Sequence, residues 1–373
     1  MALQDIYQPA QDEASRHAFV GTLKAYVNGR LEERLDTLYE ETLSPAFAAQ
    51  HGRKPASREE ASGLLTGDPL FQMWASLVYS SQDLMWEAAG ETIDRIRPEV
   101  DRTVNQLVQG NARLGSLTLD PKLVIPQPIA DVEIHRQPGG FFHQDGVEDV
   151  TAAMLNLGAG GVYGAAKRQV AQARPGDPVA GRALVDLARK LAPTLEPRRI
   201  LELGCGIGSH TVALAQAWPE AEVHGLDLSA PLVRFAHAWA EDNEVGIHYH
   251  QMDASATNFP EGHFDLIVSV IFCHETSHDI LRRSMAQAYR MLAPGGLLLN
   301  IDVPYQPSRT SLVKQVTNEW QVANNGEPFW MGFADTEMKR VLMEAGFAED
   351  EVIDQYQPNG RSSQYVFGGI KRA

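Results

Sequence analysis

The run Leu201-Glu-Leu-Gly-Cys-Gly-Ile-Gly-Ser-His constrains this chain more than any other part of it. An apolar stretch ends at Leu203, glycines follow at 204, 206 and 208, and a helical pattern opens at Ser209. Glycine is needed where a chain turns tightly and its backbone approaches a ligand with no side chain between. Asp227 ends the next apolar stretch, 19 residues beyond Gly208. A carboxylate at that point accepts from both hydroxyls of a ribose laid across the strand ends. Turn and carboxylate together point to an adenosine-bearing ligand.

The spacing narrows the ligand further. A dinucleotide fingerprint is G-x-G-x-x-G, with a pyrophosphate resting on the helix N-terminus. Here it is G-x-G-x-G, with Glu202 just before it. A carboxylate so placed repels pyrophosphate and suits a ligand that carries an ammonium and a sulfonium, which describes S-adenosyl-L-methionine.

Around this turn the chain alternates strand and helix. RILELG, EVHGLDL, IHYHQMD, FDLIVSVIF and GGLLLNIDV read as buried strands, separated by the helical HTVALAQAW, APLVRFAHAWAED and ILRRSMAQAYRML. A late helix over Asp335–Ala345 precedes two further strands, EVIDQYQ and SQYVFGGIKR, read as an antiparallel hairpin. The expectation is an α/β fold with a doubly wound, mostly parallel, seven-stranded sheet.

From about Arg199 to Pro304 the chain resembles the class I (Rossmann-like) S-adenosylmethionine-dependent methyltransferases. The match runs through Glu202-Leu-Gly-Cys-Gly-Ile-Gly208, Asp227, Asp253 after the third strand, Phe264-Asp-Leu-Ile-Val, and Tyr289-Arg-Met-Leu-Ala-Pro-Gly-Gly296 before the fifth strand. The resemblance implies that Gly204, Gly206 and Gly208 border the methionine moiety, that Asp227 with Leu228 holds the ribose, and that Asp253 meets the adenine amine. Ala254 is expected to supply the backbone donor for the ring, as in relatives. Asp253 suits an exocyclic amine on chemical grounds too, with a helix cap as the alternative, because Ser255 and Thr257 follow in a turn-like run.

The methyl acceptor is less visible. Ligands sit beyond the carboxyl ends of parallel strands, which places Cys273, His274 and Glu275 at the site or its rim. His274, with an ordinary pKa near neutrality, is the candidate to remove a proton from a hydroxyl or amine, and Glu275 its neighbour. A metal reading of His274, His278, Asp279 and Asp302 has no recognisable ligand spacing, and no metal is expected. An insertion at about 305–333 concentrates Tyr305, Trp320 and Trp330 as a lid for an apolar or aromatic acceptor. Before the first strand, HRQPGGFFHQDG (135–146) and LGAGGVYGAAKRQ (157–169) offer His143 as an acceptor contact and Tyr163 as a cofactor contact.

Two modules are expected. Residues 1–150 read as a mainly helical cap for substrate binding or dimerisation, and residues 151–373 as the S-adenosylmethionine-binding domain. In the first, Phe19, Leu23 and Tyr26 form one helix face, Leu31, Leu35 and Leu38 another, and Ser57 with Glu60 a capping box. A longer helix from Pro69 is expected to bend or stop before Pro98. The 373 residues carry a net charge of −16, which disfavours nucleic acid as a partner. With only Cys205 and Cys273, no secretion-like N-terminus and no long apolar run, a cytoplasmic protein without membrane contact is expected, with a homodimer possible. The function expected is methyl transfer to O, N or C of a small metabolite. The alternatives are a nicotinamide-dependent oxidoreductase, disfavoured by the glycine spacing, and a cofactor-binding protein that transfers no methyl.

Overall fold

The computed structural model describes residues 3, 6–110, 113–167, 179–303, 309–359 and 362–372. Its N-terminal region is helical. Helices α1 (Gln11–Ala25), α2 (Glu32–Leu38) and α3 (Ser44–His51) follow one another through π-helical turns at Tyr26–Leu31 and Tyr39–Leu43, before α4 (Arg58–Leu65) and α5 (Pro69–Gln109). Ser57 Oγ accepts from the Glu60 N–H at 3.3 Å, while the Glu60 carboxylate reaches back to the Ala56 N–H, so the cap is there with its return bond one residue early.

Two helical expectations fail, each for a physical reason. Phe19 and Tyr26 are exposed, at 63% and 46% of their surface, and α1 turns Glu13, His17, Val20 and Lys24 inward instead. Those polar groups are satisfied across the helix pair: Arg95 donates to Glu13, His17 reaches the Ala88 carbonyl, and Lys24 donates to Gln82 at 2.5 Å. A polar buried face of this kind is tolerated only when every group finds such a partner. Likewise α5 does not stop before Pro98 but runs 41 residues through it. Ile93, Ile96, Val100, Val104 and Val108 keep one face buried on both sides of the proline, which offsets the roughly 3 kcal/mol that an interior proline costs a helix.

Beyond α5 lie β1 (Ser116–Thr118), α6 (Thr151–Lys167) and α7 (Val179–Leu191), and then the alternating half of the chain: β2 (Arg199–Leu203), α8 (Ser209–Ala217), β3 (Glu222–Asp227), α9 (Ala230–Asp242), β4 (Ile247–Gln251), β5 (Phe264–Val270), α10 (His278–Met291) and β6 (Leu292–Asp302). After them come α11 (Leu312–Gln321), α12 (Trp330–Ala334), α13 (Met338–Ala345), β7 (Val352–Asn359) and β8 (Ser362–Ile370). One mixed sheet results, with strand order β1-β4-β3-β2-β5-β6-β8-β7, parallel from β1 to β6 and antiparallel at β8 and β7. Sheet and closing hairpin follow the sequence reading, except for an eighth strand: β1 pairs in parallel with β4, Ser116 opposite His248. Three polar-to-apolar residues carry no strand pattern of their own. Their place is set by Gly115, where a Cβ would lie 2.0 Å from the Ile247 carbonyl oxygen.

Strand order reverses between β2 and β5, the point beyond whose carboxyl ends open α/β sheets hold their ligands. Ile200, Leu201 and Leu203 of β2 are wholly buried because the sheet is covered on both faces. The expected division at residue 150 is not a division in packing. One core cluster takes Leu3, Val20, Met85 and Val104 together with Ile200, Val223, Phe235 and Leu299. The insertion after β6 joins a second N-terminal cluster, where Val313, Val316 and Trp320 pack with Leu31, Phe71 and Trp74. Among the described residues, no helix is long and apolar enough to cross a membrane.

Candidate active site

The turn after β2 is built as its glycines require. Gly204, Gly206 and Gly208 all have positive φ (63°, 53° and 83°), and a Cβ on Gly204 would stand 2.4 Å from the Phe272 ring. At Gly206 the space is open, and its N–H donates to Asp227 Oδ2 at 3.0 Å. The other oxygen of Asp227 accepts from the Ser229 N–H at 2.9 Å. The carboxylate at the end of β3 therefore faces the glycine turn. Burial pushes its pKa up to about 6, against the pull of these two backbone donors. A buried carboxylate with a raised pKa gains from any further donor that a ligand brings.

The neighbouring groups are more occupied. Glu202 is buried and its carboxylate accepts from Thr211 Oγ1 at 2.5 Å, tying β2 to α8, with His210 Nδ1 at 3.5 Å. The Leu228 carbonyl accepts from Gln251 Nε2, and Asp253 Oδ1 accepts from the Ser255 N–H at 2.7 Å, which closes a local turn and caps no helix. Ala254 is buried in the core on the α10 side of the sheet. Tyr163 lies on α6, and its side chain is outside the described residues. The segment 135–146 reaches the crevice by its backbone, since the Ser229 hydroxyl donates to the Phe141 carbonyl at 2.5 Å. His143 on the same segment is 44% exposed and turned to Asp145.

At the ends of β5 and β6 a buried polar cluster assembles. His274 Nδ1 donates to Asp302 Oδ1 at 2.6 Å, and the second oxygen of Asp302 accepts from the Cys273 N–H. His274 Nε2 stands 3.4 Å from Glu275 Oε1. Burial would pull the imidazole down, but the carboxylates of Asp302 and Glu275 raise it well above its ordinary pKa. His274 thus holds its proton at neutral pH, which does not suit the base role expected from sequence. Trp330 meets it edge to face at 5.2 Å.

Two members of this cluster were not visible in the sequence. His135 bridges two acids, with Nε2 at 2.7 Å from Glu275 Oε1 and Nδ1 at 2.8 Å from Glu327 Oε1. Burial alone would lower its pKa, and the two carboxylates carry it up to about 10. Its carbonyl accepts from Gln82 Nε2 and Trp86 Nε1. The only sequence signal for His135 was its place in HRQPGGFF, and for Glu327 its place in the insertion.

The remaining candidates go elsewhere. The sequence reading passes over one ligand spacing in this segment, since His274, Glu275 and His278 stand as H-E-x-x-H, but Thr276 is extended and Ser277 caps α10, so the single helix face of a zinc helix never forms. His278 bonds Thr336 and accepts from Arg282, and Asp279 pairs with Arg283. Trp320 packs edge-on against Phe71 in the N-terminal core. Tyr305 lies outside the described residues.

Residues 200–296 match a family model described as a methyltransferase domain. Over 126 residues, 34% of this chain and 54% of the relative, the sequence is 36% identical to a demethylmenaquinone methyltransferase of Thermus thermophilus. It is 29% identical, over 43% of this chain and 51% of the relative, to the tRNA N(3)-methylcytidine methyltransferase Mettl2 of Drosophila melanogaster. A fatty-acid O-methyltransferase of Mycolicibacterium smegmatis is 34% identical over 29% of this chain and 38% of its own length. The chain spans about half the length of these relatives or less. Among solved structures, phosphoethanolamine N-methyltransferase 2 of Haemonchus contortus aligns over 52% of each chain at 14% identity, with a TM-score of 0.41. The matched residues run from β2 to the turn inside β6, so the likeness to a methyltransferase domain falls on the parallel part of the sheet.

Proposed function

We propose that this chain transfers the methyl group of S-adenosyl-L-methionine to a small-molecule acceptor held beyond the ends of β5 and β6. The observation that carries the reading is Asp227, a desolvated carboxylate at the end of β3, one strand from the strand-order reversal and already turned to the open face of Gly206. It has the chemistry to take two ribose hydroxyls, and the Gly204–Gly208 turn leaves room for backbone to approach the amino-acid tail. When bound, the cofactor supplies an electrophilic sulfonium methyl. The protein's share is alignment and exclusion of water. Segment 135–146, fastened at Ser229, closes the crevice from the N-terminal side.

Trp330 gives the acceptor subsite an apolar wall, and His274, Glu275 and His135 give it polar groups. Because His274 keeps its proton, its role is to orient Glu275 and to balance charge. The relatives' names span a quinone, a fatty acid and a tRNA, so they leave the acceptor open. The net charge of −16 disfavours a nucleic acid among them. Calorimetry with S-adenosyl-L-methionine tests the cofactor half: submillimolar binding, weakened at least tenfold in Asp227→Ala, is the expected result. No heat of binding with the intact chain, or a melting temperature raised by a nicotinamide dinucleotide instead, overturns it.

A further inference from the structure

Outside the cofactor crevice, three metal-type ligands from distant parts of the chain converge. His135 comes from the segment before α6, Glu275 from the turn after β5, and Glu327 from the stretch between α11 and α12. One ligand atom from each lies within 4.8 Å of the others. Ligands around an ion with bonds of about 2.1 Å stand about 3–4 Å apart, so Glu275 and Glu327, which now sit on opposite nitrogens of the His135 ring, come to one side of it when the ion binds.

We propose that His135, Glu275 and Glu327 bind a divalent transition metal ion of the manganese, iron or zinc type. One imidazole and two carboxylates form a mixed nitrogen–oxygen set that suits those ions better than an all-oxygen calcium or magnesium shell. The ion-paired arrangement leaves something undone. Glu275 Oε2 is buried and has no hydrogen-bond partner among the described residues. An orphaned buried acceptor is costly, and more so on a charged group, whereas a cation on Glu275 satisfies it. The groups behind the three ligands are those a metal centre needs. Gln82 and Trp86 hold the His135 backbone at 2.6 and 2.8 Å. His274, itself anchored on Asp302, backs Glu275 at 3.4 Å, and Asn325 Nδ2 lies 3.4 Å from Glu327 Oε1. Such outer contacts orient ligating side chains. His135 is also kept at φ 57°, a left-handed conformation unusual for a histidine and consistent with a backbone fixed by its surroundings.

The site shares His135 and Glu275 with the proposed acceptor subsite but no residue with the cofactor crevice, and the experiment separates metal binding from cofactor binding. The full chain is stripped with chelator and titrated with Mn²⁺, with free ion followed by electron paramagnetic resonance, and with Zn²⁺ by calorimetry. The expected result is one ion per chain, with affinity reduced at least tenfold in His135→Ala and in the near-isosteric Glu327→Gln. Asp227→Ala is expected to keep the ion while losing S-adenosyl-L-methionine, so failure of one site is read independently of the other. Absence of a stoichiometric ion, or an ion held equally well by both ligand variants, overturns the proposal and leaves the three residues as an ion-paired cluster.

Discussion

On the proposed reading, Asp227 is placed for a ligand at some expense to the free protein. Its carboxyl titrates near 6 in the fold against about 3.8 when solvated. The linkage has a definite sign. The folded pKa is raised, so the stabilising contribution is complete below about pH 4 and disappears as pH rises through 6. Donors from a ligand favour the ionised form and work in the opposite direction. Cofactor affinity is therefore expected to be full above pH 7 and to fall several-fold between pH 7 and 5, while Asp227→Asn binds weakly at both. Calorimetry at the two pH values checks this, and an affinity indifferent to pH in the wild type counts against Asp227 as the contact.

At the scale of elements, α5 and the β3–β4 face invite measurement. Pro98 is exposed within a continuous helix, so it contributes no packing and only withholds an amide. Pro98→Ala is expected to raise stability by about 1–2 kcal/mol, less than the full helix penalty because proline also restricts the unfolded chain. Denaturant unfolding reads this directly, and a loss of stability would mean that the break is needed. Beside β3 and β4, His224, His250 and His263 crowd around Phe259 and His248 sits against His224, with His224 Nδ1 only 3.1 Å from His250 Nε2. Burial first, and then His224 and His248, push His250 down to about 4. Its folded pKa is depressed, so the stability it contributes is present above about pH 6.5 and is lost as pH falls toward 4, by about 3 kcal/mol at most. Melts at pH 7.5, 5.5 and 4.5 are expected to show this fall, and His250→Gln to flatten it.

The same elements show what the sequence can and cannot carry. The glycine turn, Asp227 and the buried strands were legible because each is a local pattern: a period, a spacing, a turn residue. The inward face of α1 was not, since Glu13, His17 and Lys24 are buried only because Arg95, Ala88 and Gln82 lie on α5 to receive them. Continuation through Pro98 depends on the same helix pair. Nor could spacing bring His135 beside Glu275 and Glu327, whose contact is made by the tertiary fold alone.

For the molecule as a whole, the shared core makes the helical region and the sheet one folding unit rather than a cap resting on a domain. Besides the joint cluster, the Leu3 N–H donates to Asp242 at 2.7 Å and Lys314 pairs with Glu32 at 2.8 Å. A single cooperative transition is expected in scanning calorimetry, with calorimetric and van't Hoff enthalpies equal. Two resolved transitions would mean that the cluster is less continuous than its contacts imply.

The short strand β1 has a consequence of its own. Without it, β4 would end the sheet as an unprotected rim of free amides and carbonyls, the kind of border along which proteins add foreign strands and clump. Three residues from the helical half, admitted by the missing side chain of Gly115, take that berth first. The N-terminal half thereby closes His248–His250 of that border with its own backbone, and leaves a strand of only three residues as the new rim.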